Sequence, residues 1–371
     1  MGLAKLLTFY ITYLGATTFL KAVVPPYVFS HGIGFQVMII GLLVAFGTQI
    51  LIFLLSHGRS LTAKISWVIA ILATFLSVVF IVNIHSSSAY YLSAFFNGIN
   101  LFFFWVFYNI AHFENTPKGK TGISSGIMFG VSSLIGVVVP IASGFLAEVN
   151  IWIVWAVATL ALLFTVFLIK FQNNFTMYFD IKKSFQEIKA TRVLIILSGV
   201  WDSLVMGLIP IYTLFFIKTP LGYASFLSYL SIVSVVATLI IGRWSDRLNK
   251  RVIFLYPITL ILSVTTFAFT LVNGNIIFWA ILSGVIAFLL PTFWNLSTAI
   301  IVDNTSDLRL AFPGRELALA VGRVIGFLVI FVDFYLFKKP FFSFIVMGSA
   351  ILLYSVVLFW EGKVRKIHTY L

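Results

Sequence analysis

A helix needs about 20 apolar residues to cross a bilayer, and this chain of 371 residues offers twelve such runs in succession. They are Leu6–Tyr27, Gly34–Leu55, Ile65–Ile84, Tyr90–Ala111, Ile123–Ala147, Ile151–Phe171, Val193–Ile217, Ala224–Ile241, Val252–Val272, Ile276–Ile301, Leu317–Phe337 and Phe341–Trp360. Lipid offers no partner to a backbone N–H or C=O, so each run is expected to be a helix that satisfies its own polar groups. Only 9% of the residues are charged and 61% are hydrophobic, whereas a soluble domain carries roughly 25% charged residues. A soluble core cannot hide this much apolar surface. The first run is too long for a cleavable signal peptide and lacks a small-residue cleavage site, so it reads as the first span. With no cysteine, disulfides are excluded and the redox compartment stays open.

The formal charge of +13 does not point to nucleic acid, because the cations sit in short loops beside the spans. There they set orientation, since cytoplasmic loops carry the excess of Lys and Arg. Lys5, Arg59, Lys64, Lys118, Lys120, Lys182, Lys183, Lys189, Arg192, Arg243, Arg247, Lys250, Arg251, Arg309, Arg315, Lys363, Arg365 and Lys366 fall on one side, and Lys218, Lys338 and Lys339 on the other. Both termini are therefore expected in the cytoplasm, in a multi-pass protein of the plasma membrane. The longest polar break, Gln172–Arg192, divides the chain into 1–171, a linker 172–192, and 193–371.

The two parts echo each other at nearly one offset. Pro25-Pro26-Tyr27 answers Pro210-Ile211-Tyr212, and Gly58-Arg59 answers Gly242-Arg243. Phe107-Tyr108-Asn109 answers Phe293-Trp294-Asn295, and Gly136 answers Gly322. Taken in order, these pairs argue for two parallel six-helix repeats. The densest charge cluster, Gly242-Arg243-Trp244-Ser245-Asp246-Arg247-Leu248-Asn249-Lys250-Arg251, lies between spans eight and nine. Its pattern G-x-x-x-D-R-x-x-K-R resembles the loop between the second and third helices of each half of the major facilitator superfamily. The resemblance covers the whole chain. It implies an all-α membrane fold of two pseudo-symmetric six-helix bundles, rocking about a site formed by spans one, four, seven and ten. It further implies that Gly242, Asp246, Arg247, Lys250 and Arg251 lock one conformation, with Asp246 meeting the head of span five. Three departures stand against it. The first-half loop keeps only Gly58-Arg59-Ser60 and Lys64. Span four has no Arg near Ala94-Phe95-Phe96-Asn97-Gly98. The Gly-Pro motif of span five is reduced to Gly136, Pro140 and Gly144.

Charges inside a membrane are costly and face a partner or water. Asp202 lies nine residues into span seven, roughly 13 Å deep at 1.5 Å per residue, and Arg323 is about one turn away in depth. The two are expected to pair and to open when a proton or substrate arrives; the simpler alternative is a fixed pair that sets packing. Lys21 and Asp333, both in outer thirds, could meet across an outer gate or merely reach the interface. Tyr10, Tyr13, Thr17 and Lys21 share one helical face, spaced by three or four. So do Asn97, Asn100, Phe104 and Tyr108 in span four. With Asn109, Trp294 and Asn295 these residues suit an aromatic, uncharged cavity wall, or else hydrogen-bonded glue between helices. Gly122, Gly126 and Gly130 are spaced for close helix packing. Arg315-Glu316 reads as a loop ion pair.

No enzyme signature is present. His31, His57, His85, His112 and His368 are scattered at loops and ends without metal-ligand spacing, and there is no P-loop. No metal and no cofactor are expected. These residues suggest a secondary transporter of a small organic solute, amphipathic or anionic, coupled to protons. The rivals are a non-transporting scaffold with a partner in a membrane complex, and a lipid flippase.

Overall fold

The computed structural model describes residues 2–117, 120–245 and 251–364. In chain order the helices are α1 (Gly2–Lys21), α2 (Val24–Ser30), α3 (Phe35–Leu55), α4 (Ala63–Val82), α5 (Ser87–Glu114), α6 (Thr121–Val149), α7 (Ile151–Ile169), α8 (Ile181–Glu187), α9 (Arg192–Ser203), α10 (Ile209–Thr213), α11 (Pro220–Ser245), α12 (Leu255–Ala268), α13 (Ile276–Asp303), α14 (Leu308–Phe337) and α15 (Phe341–Val364). Among the described residues eleven helices are long and apolar enough to cross a membrane, and Leu255–Leu271 is a shorter apolar helix. It covers most of the expected ninth span. Polar residues punctuate the helices where their side chains can accept from orphan N–H groups. Ser86, Asn150, Asn275 and Asp307 cap α5, α7, α13 and α14 in this way.

Four spans differ from expectation. Span one is broken at Ala22–Val23, and Pro25 and Pro26 stand in the first turn of α2. Proline has no N–H to give the preceding turn, so a helix restarts there instead of continuing. Span seven is interrupted by a π-helical turn, Leu204–Leu208, just before Pro210; proline forbids the ordinary bond at that place and the backbone adopts the wider turn. Span nine begins and ends in short 3-10 turns, Arg251–Phe254 and Phe269–Leu271. Span eleven begins at Leu308, nine residues before Leu317. Arg309 and Arg315, expected in a loop, therefore belong to a helix.

Within the first six spans, α5 packs on α3 and α4, and α1 on α6 and α7; within the last six, α14 packs on α9, α12 on α15, and α11 on α13. Two long seams join these halves: α6 runs along α11, and α3 along α14. The side chains away from the seams are apolar and exposed, such as Leu134, Val138 and Phe145 on α6 and Leu160, Leu163 and Phe164 on α7. A face of this kind suits acyl chains, and the chain is an integral, multi-pass membrane protein. Glycines set how close the helices come. A Cβ on Gly144 would stand 2.6 Å from that of Ala224 and 3.0 Å from the Leu221 backbone. At Gly126 and Gly130 the nearest atoms would be 3.4 and 3.8 Å away. The tight part of the α6 seam is thus at Gly136 and Gly144, beyond the Gly122–Gly130 series.

The linker is ordered. Strand β2 (Thr176–Tyr178) pairs antiparallel with β1 (Ser60–Thr62), Leu61 opposite Met177. Phe179 and Gly58–Arg59 extend this ribbon by two backbone bonds. Next comes α8, which lies against α14 where Gly314 leaves room: a Cβ there would be 2.5 Å from the Ser184 carbonyl oxygen.

The α9–α14 contact is the closest in the second half. A Cβ on Gly322 would stand 2.9 Å from the Gly199 Cα, and one on Gly326 would stand 2.7 Å from the Val200 carbonyl oxygen. Gly322→Val is expected to cost about 1–3 kcal/mol through overpacking, read as a lower unfolding midpoint of the full chain in detergent. Gly47→Ala, whose Cβ would meet nothing within 4 Å, should leave the midpoint unchanged or raise it, since alanine favours helix.

Candidate functional site

Asp202 stands at the C-terminal end of α9, two residues before the π turn. Arg323 adjoins Gly322, at the point where α14 touches α9. The bare glycines bring the two backbones together and so bring the charges within reach. Asp202 Oδ2 accepts from Arg323 Nη2 at 2.7 Å, and Asp202 Oδ1 accepts from Trp294 Nε1 at 3.1 Å. Asp202 is 2% exposed and Arg323 9%. The guanidinium also lies 5.3 Å from the ring centre of Phe46, on α3 of the opposite half. Phe46 in turn stacks on Phe327. Three spans of the second half and one of the first thus meet at a single ion pair. Among the described residues the buried Nε of Arg323 has no hydrogen-bond partner, so they satisfy the cation only in part.

On the first half, the aromatic face of α1 and α5 packs on itself. Tyr13 stacks on Phe104 with centroids 3.4 Å apart, and Tyr10 on Tyr108 at 4.4 Å. The Tyr13 hydroxyl donates to Asn100 Oδ1 at 2.8 Å, while Asn100 Nδ2 donates to Thr74 Oγ1 and the Ala70 carbonyl. Asn100 therefore uses its amide to join spans one, three and four, the bonding between helices that stood as the alternative to a cavity wall. Thr17 is buried and donates to carbonyls of its own helix. Asn97 lies on the exposed side of α5.

The outer pair does not form. Asp333 Oδ2 accepts from the Ser343 N–H and hydroxyl at 2.6 and 2.8 Å, at the head of α15. Lys21 is exposed, and no carboxylate among the described residues is within ion-pair distance of it. Aromatic rings close that end instead: Phe35 of the first half stacks on Phe215 at 3.9 Å and lies 6.3 Å from Phe334. Of the lock loop, Asp246, Arg247 and Lys250 fall outside the described residues. Gly242 and Arg251 lie at the edges of α11 and the following turn.

At the opposite end, polar contacts cross between halves. Asn109 Nδ2 donates to Glu316 Oε1 at 3.2 Å. Ser125 donates to Asn295 Oδ1. The repeat-related residues Asn109 and Asn295 each reach from the fourth helix of one half to the fifth helix of the other. Arg315 pairs with Glu316 and donates to Thr298 Oγ1; Glu316 is 5% exposed, so this is no loop pair. Arg309 grips Glu114 through two bonds of 2.6 and 3.1 Å, and Phe113 stacks on Phe312 beside them. His112, expected at a loop end, is buried. Its Nε2 meets Ser124 Oγ at 2.9 Å and its Nδ1 the Tyr108 hydroxyl at 3.4 Å. No local pattern singled it out. Its i+4 spacing from Tyr108 was the available signal.

Outside the spans, Glu187 ties α8 to the head of α14, accepting from Ser306 Oγ at 2.8 Å and the Asp307 N–H at 3.0 Å. Burial raises its carboxyl, but these hydrogen bonds outweigh that and hold it below the usual glutamate range.

The fold agrees with that of solved transporters. The human organic anion transporter MFSD10 (TETRAN) aligns with a TM-score of 0.68 at 12% identity, over 96% of this chain and 98% of that one. A bacterial homologue of the iron transporter ferroportin, in an outward-facing state, gives 0.68 at 13% identity, over 98% and 100%. The E. coli fucose:proton symporter FucP gives 0.65 at 9% identity, over 97% and 98%. No family profile and no curated protein matches the sequence. The chain has the fold of major facilitator transporters.

Removing one partner of a buried pair strands the other charge, which costs about 3–5 kcal/mol. Asp202→Asn and Arg323→Gln should each lower the unfolding midpoint, and the double variant should lose much less than the sum. A group with a depressed pKa contributes stability above its unfolded pKa of about 4.3, and loses it as pH falls through the folded value. The α8–α14 contact should therefore loosen below the usual glutamate range, read by hydrogen exchange at Ser306 and Asp307, and Glu187→Gln should remove that pH dependence.

Proposed function

We propose that the protein is a secondary transporter that moves a small organic solute, amphipathic or anionic, by alternating access coupled to protons. The observation that carries this reading is the Asp202–Arg323 pair, held by Trp294 and facing Phe46 across the seam between halves. A carboxylate shared between a cation and an indole N–H has two competing states. Protonation or an anionic solute removes the reason for the pair, and the groups around it can then repack. In this reading Asp202 and Arg323 form the coupling site, and Trp294 with Tyr10, Tyr13 and Tyr108 borders the solute path. The chain divides at 172–192, with both termini in the cytoplasm.

The conformation described is closed by Asn109–Glu316, Ser125–Asn295 and Glu114–Arg309 at one end, and by Phe35, Phe215 and Phe334 at the other. Closure at both ends suits an occluded stage of the cycle. The neighbours are named for an organic anion, a sugar moved with protons, and metals, which supports transport as the activity and leaves the solute class to rest on the Asp202–Arg323 centre.

The test is flux in proteoliposomes carrying a proton gradient, with a panel of organic anions and a trapped pH dye. Solute-dependent proton movement should appear with the natural chain and lose its pH dependence in Asp202→Asn. Full pH dependence in that variant overturns the coupling role, and absence of any flux favours a non-transporting scaffold. The chain has no cysteine, so paired single cysteines can carry spin labels without background. Labels flanking Glu114 and Arg309 should move apart in Arg309→Gln, showing the inner end released.

A further inference from the structure

Gln49, on α3, is a buried polar residue that neither the ion pair nor the closed ends use. It is 1% exposed, and its Oε1 has no hydrogen-bond partner among the described residues. A buried acceptor without a donor costs free energy, so such groups are normally met by one. The contacts of α3 with α5 supply none. Ala45 and Thr48 lie against the bare Gly98, and Phe53 packs edge-on against Phe102.

The aromatic contacts of the α3–α14 seam fix what stands opposite Gln49. The two helices run antiparallel there: Phe35 lies beside Phe334, and Phe46 stacks on Phe327. One turn further along α3 comes Gln49, and one turn back along α14 comes Arg323. The two therefore share a level of the seam, and the guanidinium already lies over the neighbouring ring of Phe46. Arg323 carries the complementary defect. Its Nη2 donates to Asp202, while its buried Nε has no acceptor among the described residues. One level of the seam thus holds an acceptor without a donor and a donor without an acceptor, on opposite halves of the molecule. Asp202 keeps them apart, because its carboxylate holds the guanidinium toward α9 at 2.7 Å. Both side chains are long and unbranched, so a change of rotamer alone can bring them together.

We propose that Gln49 is the second partner of Arg323: when Asp202 loses its charge, the guanidinium turns from α9 to the Gln49 amide oxygen and ties α14 to α3 of the other half. Gln49 is then a positioning residue. It offers the cation a neutral acceptor in the state where the carboxylate no longer holds it. A bond within the second half is exchanged for one across the seam. This deepens the coupling role proposed for Asp202 and Arg323 and takes its meaning in transport from that reading, while the contact itself is tested without flux.

The test uses unfolding midpoints of the full chain in detergent. In the natural background, Gln49→Leu removes an unmet acceptor and should leave the midpoint unchanged or raise it. In an Asp202→Asn background the same substitution removes the replacement partner and should lower the midpoint. That change of sign reports coupling between two residues that do not touch in the conformation described. Gln49→Glu in the Asp202→Asn background puts a carboxylate back within reach of Arg323 and should return the midpoint toward that of the natural chain. If Asp202→Asn does not fold by itself, its rescue by Gln49→Glu supports the proposal and the lack of rescue overturns it. An equal effect of Gln49→Leu in both backgrounds, or a midpoint lowered further by Gln49→Glu, also overturns it. Flux in proteoliposomes separates this result from the transport reading. Coupled midpoints without flux keep the contact and refute transport, whereas proton-coupled flux without coupled midpoints keeps transport and refutes the contact.

Discussion

An ion pair withdrawn from water survives only if its two members meet closely, because the desolvation penalty falls on both. In this protein that requirement is met by absence of side chains. Gly199, Gly322 and Gly326 let α9 and α14 come backbone to backbone. Asp202 and Arg323 can then touch at 2.7 Å. The remaining features of the centre follow from this contact. Trp294 takes the second carboxylate oxygen, and Phe46 covers the guanidinium from the opposite half. The π turn after Asp202 lies on the same stretch, where Pro210 removes an ordinary helical bond.

The duplicated asparagines have a use that the duplication explains. Asn109 and Asn295 stand at equivalent places in the two repeats, and each crosses to the fifth helix of the other half, at Glu316 and at Ser125. A pseudo-twofold arrangement turns one kind of residue into two bonds at one end of the molecule. Such bonds are modest singly, about 1 kcal/mol each. Bonds of that size together hold one end of the molecule closed, with no single one of them decisive.

Much of the architecture was legible because lipid is a severe solvent. A span such as Phe35–Leu55 announces itself by length and hydropathy, and eleven helices lie where the apolar runs are. The break after Lys21 was also written in the chain, as Pro25-Pro26. The head of α14 was not legible, because Arg309 and Arg315 look like loop residues to any local measure. Glu114, the partner of Arg309, is distant in sequence; the Arg315-Glu316 pair was legible, but Asn109, which brings Glu316 across to the other half, was not. Asn100 carried an ambiguity of its own: a polar side chain on an aromatic face suits a ligand or a neighbouring helix equally. Only the positions of Tyr13 and Thr74 decide between them. His112 was hidden for the same reason, its partner Ser124 lying across the turn between spans four and five.

The ribbon formed by β1 and β2 changes what the linker is mechanically. Its first part, through Phe179, is stitched to Gly58, Arg59 and Ala63. From Ile181 to Glu187 it is helix, fastened to α14 by Glu187 and by the fit of Ser184 on Gly314. Twenty-one residues separate the halves on paper, 172–192, yet almost none of that length is slack. Between the stitched part and the fastened part stands Asp180, whose carboxylate caps Lys183 while the next N–H reaches His57. The strap is less a rope than a splint, laid along one half and pinned to the other.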